Sequence, residues 1–293
     1  MSRKGSGRSS VLLLGHYDTV DIAHPGPCID GNHFYSLGSF DMKGGLAIAV
    51  RLFAEADREK FSSLELLVVG DEETRSRPLK FPGSWDAVLS FEGGEDEGPV
   101  ISRFGASEVT LTLKGVPTRA TFPLRDRSTL LLLSDLLPFL HSLNSDGCHF
   151  TAASVIAESA CNVVAHSVEI TGVLRYGTEQ ERSAWISSVP RKFEGADISI
   201  ESKELIPALL AKAASRQLLE KLGLSSDCRS GASDISWFRD QAPILIDGLG
   251  PLGGGEHSPD EFIVIDSLQS QYEVARLILD GVMNDRNQSV RGF

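Results

Sequence analysis

Over the first hundred residues, short runs of almost uniformly apolar positions alternate with a segment whose apolar positions recur every three or four residues. Val11–Leu14 is apolar at every position and closes on Gly15. A strand with no polar face is one covered on both sides, as in a parallel sheet between helix layers. Leu64–Val69, ending at Gly70, and Ala87–Phe91 have the same character. Leu46–Ala56 is spaced as a helix, entered through Gly44 and Gly45. Strand, helix, strand in this order predicts an α/β layer built on a mostly parallel sheet flanked by helices.

The pattern changes near Gly105. Glu108–Lys114 alternates polar with apolar positions, as a half-exposed strand does. Ser128–Leu143 is a leucine-rich helix, Val168–Tyr176 and Ala196–Ser202 read as strands, and a helical stretch covers Gln180–Ser188 between them. This β-α-β-β-α-β-like order predicts a small, ferredoxin-like α+β domain. The α/β pattern then resumes, with a helix over Pro207–Leu222, a short strand at Ile244–Ile246 and a closing helix over Ile265–Met283. The expected organisation is a catalytic domain in two parts, residues 1–104 and 206–293, interrupted by an inserted domain at 105–205.

Composition narrows the partners. Apolar residues make up 41% of 293, enough for packed cores, and the formal net charge is −12 with no basic run to offset it. Nucleic acid is excluded as a partner, since phosphate binding needs a basic face. No apolar run at the N-terminus is long enough for a signal peptide or a membrane span, so a cytoplasmic location off the membrane is expected. Cys28, Cys148, Cys161 and Cys228 form no C-x-x-C pair, which argues for free thiols.

The candidate chemistry lies where the apolar runs end. His16 and Asp18 follow the first strand in Gly-His-Tyr-Asp-Thr-Val, and Asp41 stands in Ser-Phe-Asp-Met-Lys-Gly-Gly. Asp71, Glu72 and Glu73 follow the next strand, Glu92 the one after, and His257 lies in Gly-Gly-Gly-Glu-His-Ser-Pro. In open α/β sheets the carboxyl edge of the strands is where ligands bind. Singly, each residue reads as a surface pair or a turn. Together they would crowd like charges into one crevice, which is costly unless cations are held there. Two imidazoles with several carboxylates suit zinc.

These segments, with Val-Leu-Ser-Phe-Glu at 88–92, Gly-Ala-Ser-Asp at 231–234 and Asp-Gly-Leu-Gly-Pro from 247, resemble those of metallopeptidase family 20. That family includes glutamate carboxypeptidase, aminoacylase, acetylornithine deacetylase and succinyl-diaminopimelate desuccinylase. The resemblance implies a zinc-exopeptidase-like fold whose inserted domain is a lid and homodimerisation surface. It implies two zinc ions, with cobalt or manganese as substitutes. His16 and Glu92 would bind one, Glu73 and His257 the other, and Asp41 would bridge them. Asp18 would orient His16, and Glu72 would carry the proton from water to the leaving amine. A cis peptide at Asp41–Met42 is also implied. In the inserted domain Asn162 and Arg175 match substrate-binding positions, and Arg175 is suited to a substrate carboxylate.

Three departures bear on activity. Where the family carries a lid histidine this chain has Arg119, in Lys114-Gly115-Val116-Pro117-Thr118-Arg119. Where glutamate carboxypeptidases have Arg-Pro-Ala it reads Ile206-Pro207-Ala208. Only fifteen residues precede His16, fewer than in relatives, which leaves sheet edge expected to be uncovered. The leading expectation is a di-zinc hydrolase cleaving a peptide or N-acyl amino acid beside a free carboxylate. The alternatives are an N-acyl-metabolite deacylase or desuccinylase, and a metal-binding relative with little catalysis.

Overall fold

The computed structural model describes residues 1–74, 78–94, 98–119, 121, 128–157, 160 and 162–288, with side chains as far as residue 284. The chain divides into two compact units. The first comprises Met1–Arg103, Leu209–Arg229 and Ser233–Phe293; the second comprises Phe104–Ala208 and Ser230–Ala232. At the point of insertion Arg103 and Leu209 exchange two backbone hydrogen bonds, each of 2.9 Å.

In the first unit a five-stranded sheet runs in the order Ser2–Lys4, Phe61–Val69, Ser9–His16, Ala87–Ser90 and Ile244–Ile246. The last four are mutually parallel and only the outer Ser2–Lys4 is antiparallel. Alternation within Ser9–His16 explains its uniform apolarity. Val11 and Leu13 enter one core with Ile48, Leu52 and Ile278, while Leu12 and Leu14 enter another with Trp85, Ile235 and Phe238. The helices Gly44–Glu55, Ala213–Lys221 and Ser267–Gln288 contribute to the first of these cores. Among the described residues no helix is long and apolar enough to cross a membrane.

The sheet edge expected to be bare is partly dressed. Ser2–Lys4 pair with Ser63–Glu65, and the Met1 amino group donates to the Leu66 carbonyl at 2.7 Å. The basic character of this stretch has a local use. Arg3 donates to the carbonyls of Phe53, Ala54 and Ala56, which meets acceptors that the end of helix Gly44–Glu55 leaves open. Apolar spacing carried no sign of this strand, because an edge strand with polar side chains has no buried face to announce it. The helix expected over Pro207–Leu222 begins only at Ala213.

Gly45 is required by proximity. A Cβ there would lie 1.7 Å from the carbonyl oxygen of Phe91. Ordinarily alanine gains about 1 kcal/mol over glycine inside a helix, but here helix and strand would have to part. Gly45→Ala is therefore expected to lower stability by about 1–3 kcal/mol in urea titration; an unchanged midpoint would show that the contact yields freely.

The second unit is a five-stranded antiparallel sheet ordered Lys192–Phe193, Ala196–Ile206, Gly105–Lys114, Ser167–Tyr176 and Cys148–Ala157. Helices Thr129–Ser142 and Glu179–Ser188 supply Leu132, Leu136, Leu140 and Trp185 to its core with Val109, Leu111 and Ile170. The chain order is β-α-β-β-α-β, with the two-residue strand as an addition. Cys148–Ala157 escaped the hydrophobic reading because most of its length is exposed. Cys28, Cys148 and Cys228 are free thiols; Cys161 lies outside the described residues.

Candidate metal centre

The first unit brings the ionisable residues at its strand ends together. His16 is the last residue of its strand and is 2% exposed. Its backbone N–H donates to the Met42 sulfur at 3.3 Å. That contact places Met42 beneath it and Asp41, joined to Met42 through a cis peptide, beside it. Asp41 is the centre of the cluster. One carboxylate oxygen lies 2.9 Å from His16 Nε2, and the other lies 3.2 Å from His257 Nε2. His257 Nε2 also lies 3.2 Å from Glu73, and His16 Nε2 lies 3.9 Å from Glu92.

Donor atoms within 4.8 Å of one another form three groups, His16–Asp41–Glu92, Asp41–Glu73–His257 and His16–Glu72–Glu73. Asp18 ties two of the participating segments. Its backbone carbonyl is 3.1 Å from His16 Nδ1, and its side-chain oxygen accepts the Glu73 N–H at 3.0 Å. Ser233 donates to Glu92 at 3.5 Å.

Electrostatics show what crowding does to these groups. Burial pushes Glu72 up to about 7, with the nearby Asp234, Glu73 and Asp41 adding to it against His16. Burial and the Asp41 charge put Glu92 well above the usual carboxylate range, and the same two causes raise Glu73. Burial alone would lower His16, but its bond to Asp41 and the charges of Glu92, Asp41 and Glu72 hold it near 10. Asp41 is lowered despite burial, through its bond to His16 and the charges of both imidazoles. Burial is the largest cause of all three upward shifts and the neighbouring carboxylates add to it, a repulsion that a divalent cation held there would relieve. The donor set, two imidazole nitrogens among carboxylate oxygens, fits zinc chemistry.

Arg119, Asn162 and Arg175 belong to the second unit. Arg119 is exposed and bridges Val163 through the backbone, and Asn162 is an exposed turn residue. Arg175 donates to the Ser230 carbonyl at 3.3 Å, and burial lowers its pKa. Trp237, half-buried, packs against the core of Leu12, Val88 and Phe238.

Sequence reasoning gave no role to two acidic side chains of the first unit. Asp234, 5% exposed, raises Glu72, and Glu261, 1% exposed, bonds the Asp41 loop. The Gly-Ala-Ser-Asp motif pointed at Asp234. Nothing in the pattern around Asp260–Glu261 distinguishes a buried carboxylate from a solvated one.

The model of peptidase family M20/M25/M40 matches residues 12–280, and the chain belongs to that family. It is a hydrolase. Among its relatives, the succinyl-diaminopimelate desuccinylase of Rhodospirillum centenum is 24% identical over 322 residues, covering 95% of this chain and 83% of the relative. That of Acidiphilium cryptum is 25% identical over 327 residues, covering 96% and 85%. The fold is shared with a tripeptidase from Staphylococcus aureus at a TM-score of 0.73 and 17% identity, over 97% of this chain and 84% of that one. A dinuclear metal-binding M20 peptidase from Bacillus subtilis gives 0.66 at 14% identity, with coverage of 97% and 84%.

Proposed function

We propose that this chain is a two-zinc amidohydrolase acting on a peptide or N-acyl amino acid beside a free carboxylate. One observation carries the reading: the two oxygens of Asp41 face two different imidazoles, His16 and His257, drawn from opposite ends of the chain. In this reading His16 and Glu92 hold one cation, Glu73 and His257 the other, and Asp41 both. Bound there, the cations supply Lewis-acid polarisation of the scissile carbonyl and acidify a water. Glu72 takes the proton from the attacking water and returns it to the departing amine nitrogen. Asp18 holds His16 in one ring orientation through its backbone carbonyl at Nδ1, while its carboxylate fixes the backbone of Glu73, so that one residue steadies a ligand of each cation.

Arg175 is assigned to the substrate carboxylate, with Asn162 and Arg119 as further substrate contacts, and the inserted unit to homodimerisation. A second reading, hydrolysis of an N-succinyl or other N-acyl metabolite, is favoured by the desuccinylase relatives.

Purified protein supplied with zinc is expected to retain about two equivalents per chain by elemental analysis, and to turn over at least one of a dipeptide, an N-acetyl amino acid and an N-succinyl amino acid. Chelation is expected to abolish turnover and lower the thermal midpoint, because a cation that binds only the folded state stabilises it by mass action. Absence of bound zinc after addition would defeat the reading; turnover confined to the N-succinyl compound would select the second.

A further inference from the structure

The segment that carries Asp41 and the segment that carries His257 are joined by one buried side chain. Glu261 is 1% exposed. One of its carboxylate oxygens accepts the Gly38 N–H at 2.7 Å. The other accepts the N–H groups of Phe40 at 2.8 Å and of Asp41 itself at 2.9 Å. The Glu261 main-chain carbonyl accepts the Ser36 N–H at 3.1 Å. Four donors from residues 36–41 thus end on one residue, three of them on an anionic acceptor, where hydrogen bonds are strong.

Glu261 is also fixed on the other side. The adjoining strand Phe262–Val264 pairs with Gly253–Gly254, and the turn enclosed by these two strands carries His257. Ser258 returns both its N–H and its hydroxyl to the Gly255 carbonyl. His257 has φ of 58°, a backbone conformation that a non-glycine residue keeps only where its surroundings impose it. The turn is therefore shaped by its closure, and Glu261 stands at the base of that closure.

We propose that Glu261 is a positioning residue for the second cation. It sets the register of the Asp41 loop against the His257 turn, and with it the 3.2 Å approach of Asp41 to His257. This rests on the two-cation reading above. Asp41 is shared by both cations, but His16 and Glu92 lie on other segments, so the first cation depends less on Glu261. The pair formed by Asp41 and His257 has its two ligands on the two segments that Glu261 joins.

The test is zinc titration of full-length wild type, Glu261→Gln and Glu261→Asp by calorimetry, with the absorption spectrum of the cobalt-substituted proteins as a second readout. Glutamine keeps the length but turns one acceptor into a donor facing a backbone N–H; aspartate keeps the charge but draws it back. Ser267→Ala is the structural control. Ser267 accepts the Leu252 N–H and donates to the Val264 carbonyl, so it supports the same strand pair without touching residues 36–41.

Wild type is expected to bind two cations. Glu261→Gln is expected to weaken one of them by about 10–100-fold, the range seen when an outer-shell partner is removed, and to weaken the other less. The cobalt spectrum of the second equivalent is expected to shift. Glu261→Asp is expected to show the same selective loss to a smaller degree, and carries the test if the glutamine variant does not fold. Ser267→Ala is expected to lower the thermal midpoint of the chelated protein and leave both affinities intact.

Two wild-type cations with both unchanged in Glu261→Gln would overturn the inference alone. So would equal weakening of both cations matched by Ser267→Ala, which would mark a general loss of stability. A wild type that binds fewer than two cations would overturn the two-cation reading and this inference with it.

Discussion

Glu72→Gln is expected to cut hydrolysis by about 10²–10⁴-fold, the usual yield of a positioned proton carrier, while about two zinc equivalents stay bound. The side chain is close enough to the cluster for His16, Glu73 and Asp41 to bear on its charge, yet the pairs that centre on Asp41 are complete without it. Its neighbour Glu73 is held independently, because its backbone N–H is bonded to Asp18. Glutamine preserves the shape and removes the ability to accept a proton. Steady-state kinetics beside elemental analysis separate the two roles: loss of rate with metal retained assigns the proton, loss of both assigns a ligand. A variant that turned over at the wild-type rate would remove Glu72 from the reaction.

The largest stability effect is expected at a neighbouring ion pair. Asp247 is fully buried and Arg103 is 5% exposed; two guanidinium nitrogens approach the same carboxylate oxygen at 2.9 Å. The other oxygen accepts the Gly248 N–H at 2.7 Å. Arg103→Met leaves the Asp247 charge buried without its counter-ion, and such breakage costs about 3–5 kcal/mol. Replacing both, as Arg103→Met with Asp247→Leu, is expected to recover much of that, since the desolvation penalty disappears along with the attraction. Urea unfolding of the three variants measures the coupling. A single variant within 1 kcal/mol of wild type would mean that water reaches the pair. Asp247 also adds to the negative field on Glu92, so the arginine limits how far this carboxylate burdens the centre.

The sequence made the layer and the centre readable for different reasons. Ser9–His16, Phe61–Val69 and Ala87–Ser90 are buried on both faces, and such strands announce themselves as apolar runs. His16, Asp41, Glu73, Glu92 and His257 stood out only as a set, because singly each reads as a surface pair or a turn, whereas together they would crowd like charges into one crevice. The strands Cys28–Asp30 and His33–Tyr35 were missed because they are short and carry no fully buried face. Glu261 was missed for a further reason. Its partners are backbone N–H groups some two hundred and twenty residues earlier, and a main-chain donor leaves no mark in the residue alphabet. Which strand would pair with the Phe61–Val69 edge depends likewise on backbone geometry.

The paired carbonyls and amides of Arg103 and Leu209 have a consequence for how this architecture tolerates change. The inserted segment leaves and rejoins its host at adjacent points, so the host's continuity there is carried by hydrogen bonds as much as by covalent linkage. Lengthening, shortening or redesigning residues 104–208 alters a closed excursion from the host rather than the spacing of the strands that gather the acidic and imidazole groups.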